Sequence, residues 1–100
     1  ELPEEERSRI RAAILGHRGV LGVHDLRTRA SGPQIFIQCH IELDPHQSLL
    51  QAHAIADAVE GDLRDAFPGA EVIVHQDPYE GGHDRGDGGA GPAAQSGQGA

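Results

Sequence analysis

The sequence predicts an α+β fold, a two-layer sandwich in which two helices lie on one face of a three-stranded sheet, in the order α-β-β-α-β. Three observations carry that expectation. Two segments repeat apolar residues every three or four positions, the period of a helix with one buried side. Three others alternate at every second residue, the period of a strand. About eighty residues are available for packing, because the stretch from Gly81 to Ala100 holds eight glycines and little that can be buried, so a second core has no room.

The first helix is expected over residues 4 to 17. Leu2-Pro3-Glu4-Glu5-Glu6 opens it: proline suits a first turn, and the acids face the positive end of the helix dipole. Ile10, Ala13, Ile14 and, near the end, His17 form its stripe, and Gly16 and Gly19 stop it. Val20 to Ala30 reads as a strand with imperfect alternation, His24, Leu26 and Thr28 on one face and Val23, Asp25, Arg27 and Arg29 on the other. Ser31-Gly32-Pro33 is a tight, hairpin-like connection. The next strand alternates cleanly. Ile35, Ile37, Cys39, Ile41 and Leu43 share one face, and Gln34, Phe36, Gln38, His40, Glu42 and Asp44 the other, as in an antiparallel sheet covered on one side. Asp44 to Ser48 breaks the strand, and Ser48 caps the second helix. Ala52, Ile55, Ala56, Val59, Leu63 and Phe67 are its buried stripe, ended by Pro68-Gly69. Glu71 to Asp77 is the last strand, with Val72 and Val74 on one face and Ile73, His75 and Asp77 on the other. Residues 1–80 therefore read as the domain and 81–100 as a disordered glycine-rich tail.

Composition narrows the function. Eight arginines and no lysine stand against 16 acidic residues, a net charge of −8, which gives no general attraction to nucleic acid or anionic lipid. Aromatic residues are 3% of the chain, too few for a base-stacking platform. No apolar run approaches the ~20 residues that cross a bilayer, and no signal peptide is visible, so these residues are expected to be soluble. The chain does not begin with Met and is read as a piece of something longer. One cysteine excludes an internal disulfide framework. A domain of this size buries only ~60% of the surface its unfolded chain exposes, so a partner or ligand helps it.

The excess is histidine, seven in a hundred residues. His24, His40 and His75 sit on strands, His53 on the second helix, and Asp77 two residues beyond His75. Period-two geometry puts His75 and Asp77 on one sheet face with Cα atoms ~6.5 Å apart, within reach of one ion or of a carboxylate bridging two. Imidazole nitrogen with carboxylate oxygen suits zinc, iron(II), cobalt and manganese. On spacing alone, a metal site and ordinary hydrogen-bonded histidines are equal readings, since no C-x-x-C or H-E-x-x-H is present. His17, His46 and His83 read as surface residues, and Cys39 as core. Enzymatic readings fail individually. Cys39 points away from His40, no glycine-rich loop joins a strand to a helix start, and Asp57 with Glu60 looks like a solvated helix face.

Longer strings carry a family resemblance. Gly19-Val20-x-Gly22-Val23-His24-Asp25-Leu26-Arg27-Thr28-Arg29-x-Ser31-Gly32-Pro33 resembles the cytoplasmic C-terminal domain of the cation diffusion facilitators, in particular the bacterial ferrous-iron/zinc efflux transporters. Phe36-Ile37-Gln38-x-His40-Ile41-Glu42, Gln51-Ala52-His53-x-x-Ala56-Asp57 and the run from Phe67 to Pro78 resemble it in the same order, over roughly residues 2 to 79. The resemblance implies a metallochaperone-like (ferredoxin-like) fold, a homodimer, and a two-metal site at or near the dimer interface. It places metal ligands at His24, His40, His53, His75 and Asp77, with Asp77 bridging. It implies Zn2+ as the ion, or Fe2+, Co2+, Cd2+ or Mn2+. It further implies that the domain hangs from its own transmembrane domain into the cytoplasm of a bacterial inner-membrane transporter and tunes proton-coupled export without itself being an enzyme. Gln38, Glu42 and Gln76 are candidates to orient the rings. The rival readings are a freestanding metallochaperone and a small-molecule-sensing αββαβ dimer. The first would show its ligands on one loop, and the second a polar pocket rather than clustered histidines.

Overall fold

The computed structural model describes residues 2–81, so the expectations for the tail, and for His83 within it, lie outside the described residues. Helix α1 spans Glu4–Leu15, strand β1 Gly22–Ser31, strand β2 Gln34–Leu43, helix α2 Leu49–Ala66 and strand β3 Glu71–Pro78. The order is the expected one, although α1 stops two residues short of His17 and β1 starts two residues after Val20.

The sheet runs β1-β2-β3. β1 and β2 form an antiparallel hairpin, whereas β2 and β3 are parallel, joined by α2 as a crossover. The sheet is therefore mixed rather than antiparallel. A crossover helix of 18 residues returns the chain to the end at which β2 began, so β3 must run alongside β2 in the same direction. Ser48 starts that helix with a reciprocal cap: its hydroxyl accepts from the Gln51 backbone N–H at 3.0 Å, and Gln51 Oε1 accepts from the Ser48 N–H at 3.1 Å.

Both helices cover the same face. Ile10 and Ile14 of α1 and Ala56, Val59 and Leu63 of α2 pack with Leu26, Ile37, Cys39, Ile41, Leu43 and Val72 of the sheet in one cluster. Ala13, expected in the stripe of α1, is exposed; two isoleucines one turn apart suffice for so short a helix. The α1 layer is also tied to β1 by polar contacts: Thr28 Oγ1 accepts from the Leu2 N–H at 3.2 Å, and the Leu26 carbonyl accepts from Arg7 Nη2 at 2.9 Å. Gly19, with φ +90°, lets the turn after α1 press on α2, because a Cβ there would lie 2.6 Å from Ile55 Cδ1.

One departure moves the site. The pairing of β1 with β2 shifts between His24 and Arg27, where two residues of β1, Asp25 and Leu26, stand against the single Cys39. This is a β-bulge, and Asp25 adopts φ +55° to make it. The extra residue resets the alternation. Leu26 and Thr28 turn to the core, while His24 lies on the other face, opposite His40. The expectation that His24 shares a face with Leu26 and Thr28 is thus overturned, and the imperfect alternation was the trace of the bulge.

Candidate metal centre

Three strands deliver three histidines to one row. His24 is paired with His40 across β1 and β2, and His40 with His75 across β2 and β3. Partners in register share a face, so the rings stack in sequence across the side of the sheet that neither helix covers. The His24 and His40 centroids are 5.0 Å apart and those of His40 and His75 4.5 Å, with planes within 20°. Asp77 follows two residues after His75, on the same face and beside Glu42.

The ring nitrogens and carboxylates converge. Asp77 Oδ2 is 3.1 Å from His24 Nε2 and 3.0 Å from His40 Nδ1. His24 Nδ1 donates to Glu42 Oε2 at 2.7 Å. His40 turns its Nε2 toward Asp25 Oδ2, 4.0 Å away. His24, His40 and Asp77 each offer an atom to a shared point, all within 4.8 Å of one another.

The donor set fits a divalent cation. A neutral imidazole has one donor and one acceptor nitrogen, yet both nitrogens of His24 face carboxylates, which only accept. Either a second proton or a cation between Nε2 and Asp77 is required. Two imidazole nitrogens each lie about 3 Å from one carboxylate oxygen, and all three atoms lie within 4.8 Å of one another, a separation that ~2.0–2.2 Å bonds to one ion can span after small side-chain adjustments. The site is partly open: the His40 side chain is 25% exposed and that of Asp77 33%. Water or a further ligand can complete the coordination.

The remaining candidates fall elsewhere. His75 stacks on His40 at the edge of the group without an acid of its own among the contacts described. His53 is on α2, which covers the opposite face of the sheet, and its Nε2 lies 3.2 Å from Asp57 Oδ2 on the same exposed helix side. Within one chain, therefore, His53 does not meet the other four. His17, read as a surface residue, is half-buried and paired through Nε2 with Asp62 Oδ2, linking the end of α1 to α2. Of the ring-orienting candidates, Glu42 holds His24, while Gln76 is in register with Ile41 and so belongs to the helix side of the sheet. Asp25 was not anticipated near the site; the broken alternation after Val23 was the signal that could have found it.

Comparison with known proteins identifies the family to which this fold belongs. Residues 2–79 match the family model described as "cation efflux protein, cytoplasmic domain". The cation-efflux pump FieF of Klebsiella pneumoniae (strain 342) is 52% identical over 77 residues, which cover 77% of this chain and 26% of that protein. The chain thus spans about a quarter of the length of the curated relatives it matches. CzrB in its Zn form superposes with a TM-score of 0.70 at 39% identity, covering 84% of this chain and 96% of that one. A nickel form of a MamM C-terminal domain variant superposes with a TM-score of 0.71 at 30% identity, covering 78% of this chain and all of that one. Both share the two-helix, three-strand arrangement seen here. With four-fifths of its length matched in sequence and its sheet and helices matched in space, this chain belongs to the cation efflux proteins, as their cytoplasmic domain.

Proposed function

We propose that this chain is the cation-binding regulatory domain of a divalent-cation efflux transporter, and that it binds Zn-like ions at a dimer-associated two-metal site. The observation that carries the reading is the in-register row of His24, His40 and His75 closed by Asp77. His24, His40 and Asp77 hold one ion, and Asp77 bridges to a second held by His75. His53, on the far layer of its own chain, joins only from a second copy, which makes the complete site a property of the dimer. Leu49 and Leu50, 88% and 80% exposed, lie one turn before His53 and offer apolar surface to the same contact. The relatives supply support of the same kind: FieF is a cation-efflux pump, and the solved neighbours include Zn, nickel, cadmium and manganese forms. Binding draws two acidic domains together and so biases a membrane domain attached to them, which carries out proton-coupled export.

The ion among zinc, iron(II), cobalt, cadmium and manganese is chosen by competition, since imidazole and carboxylate accept all of them. Calorimetric titration with zinc at pH 7.5 should give two ions per protomer, and sedimentation velocity should show zinc shifting the chain to a dimer. Binding should weaken in acid, because each imidazole must be unprotonated to ligate. A chain that takes up no zinc at pH 7.5, or stays monomeric at tens of micromolar when saturated, would refute this reading.

A further inference from the structure

Gly22 stands in β1 directly opposite Glu42 of β2, two residues before His24. Unlike Gly19, it has no left-handed backbone to explain it, and glycine in a strand interior often marks a close approach by another group. The neighbour is specific. A Cβ on Gly22 would lie 2.5 Å from Glu42 Oε1 and 3.0 Å from Glu42 Cδ. The Glu42 carboxylate therefore lies across the space that a side chain at position 22 would fill. From there its other oxygen, Oε2, takes the Nδ1–H of His24 at 2.7 Å. Glu42 is the better sheltered of the pair, its side chain 18% exposed against 47% for His24.

We infer that Gly22 and Glu42 form a cradle that positions His24: the missing side chain at Gly22 admits the Glu42 carboxylate, which holds the Nδ1–H and so presents Nε2 to Asp77 and the cation. Neither residue touches the ion; both act through the imidazole. A metal-bound histidine commonly gives its second N–H to a carboxylate, and loss of that partner costs ~10–100-fold in affinity. The inference rests on the metal-binding reading above for its consequence, but the cradle itself exists without metal. A methyl group at position 22 would meet the flexible end of a side chain rather than backbone. Gly22→Ala should therefore displace the carboxylate and leave the fold intact.

The test is a double-mutant cycle on this full chain, with zinc as probe. Gly22→Ala and Glu42→Ala should each weaken zinc binding ~10-fold or more, and the double variant should be no weaker than Glu42→Ala alone, because both changes remove one contact. The melting temperature of Gly22→Ala without metal should equal or exceed that of the parent, and Gly61→Ala, in open space on α2, serves as the control whose zinc affinity should stay parental even though its helix is strengthened. In metal-free protein, nitrogen-edited NMR should show a slowly exchanging His24 Nδ1–H, lost in both variants. Parental zinc affinity in Gly22→Ala, losses that multiply in the double variant, a Gly22→Ala chain that unfolds, or an Nδ1–H indifferent to position 22 would each overturn the cradle. A parent that binds no zinc but shows the Nδ1–H, lost in both variants, would leave the cradle standing and remove the proposed function instead.

Discussion

His75 and Asp77 project from one face of β3, and Asp77 reaches two ring nitrogens with a single oxygen. Replacing either with Ala should cost zinc more affinity than the ~10–100-fold expected for an outer partner, whereas His17→Ala and His46→Ala should cost little. His17 pairs with Asp62 between the helices and His46 lies in the turn before α2, both away from the row. Calorimetry finding equal losses in the two sets would reject the ligand assignment. Cys39 lies one residue from His40 but on the opposite face, with no exposed surface. Burial, and then the negative charge of Glu60, pushes its thiol from 9.0 up to about 11. The unfolded chain ionises this thiol first, so its contribution to stability is intact below pH 9 and is lost as pH rises to about 11. Melting temperature should therefore fall over that window, and fall less steeply in Cys39→Ala. Identical slopes would show that other groups cause the decline.

At the scale of elements, the bulge in β1 has the largest effect on the site, since without it His24 would share a face with Leu26. Asp tolerates the left-handed backbone at position 25, but a β-branched residue does not. Asp25→Val should destabilise the fold by ~1–2 kcal/mol, and should weaken zinc binding too, as the bulge relaxes and His24 shifts. Asp25→Gly should keep the stability. Denaturant unfolding of both variants beside zinc titration checks this, and Asp25→Val with unchanged binding would show that His24 is held without the bulge. The capping box offers a plainer test: Ser48→Ala should cost ~1 kcal/mol and leave zinc affinity alone, because the Ser48 cap bonds only to Gln51 and α2 covers the face opposite the histidine row. The elements themselves were legible because each has a clear period and a chemical stop, such as Ser48 before α2 and Pro68-Gly69 after it. The bulge was not, since Val23-His24-Asp25-Leu26 departs from alternation without saying where the extra residue sits. The parallel pairing of β3 follows from the helix between β2 and β3, and the one-sided pattern of β2, which is the same beside either kind of neighbour, misled the antiparallel expectation.

Across the whole molecule, a net charge of −8 sets the terms for association. Two copies repel unless screened or bridged. Sedimentation equilibrium of the metal-free chain should show tighter self-association at 300 mM than at 20 mM salt, and zinc should flatten that dependence by placing positive charge in the contact. A salt-independent equilibrium without metal would mean that charge does not govern the contact. The five candidate residues could be picked from the sequence, yet their arrangement could not. That His24, His40 and His75 form a row follows from inter-strand register, which lies between elements rather than within any of them. That His53 is a layer away from them follows from which face α2 covers.

Positions along β2 alternate strictly between the two sides of the sheet. Ile37, Cys39, Ile41 and Leu43 face the helices, and Phe36, Gln38, His40 and Glu42 face outward. One backbone layer thus carries two messages on interleaved residues, one specifying how the chain folds and one presenting the histidine row to its surroundings. In descent, the two can drift apart. Outward residues can be exchanged while the inward set keeps the same architecture, and inward substitutions can adjust stability without moving the histidine row.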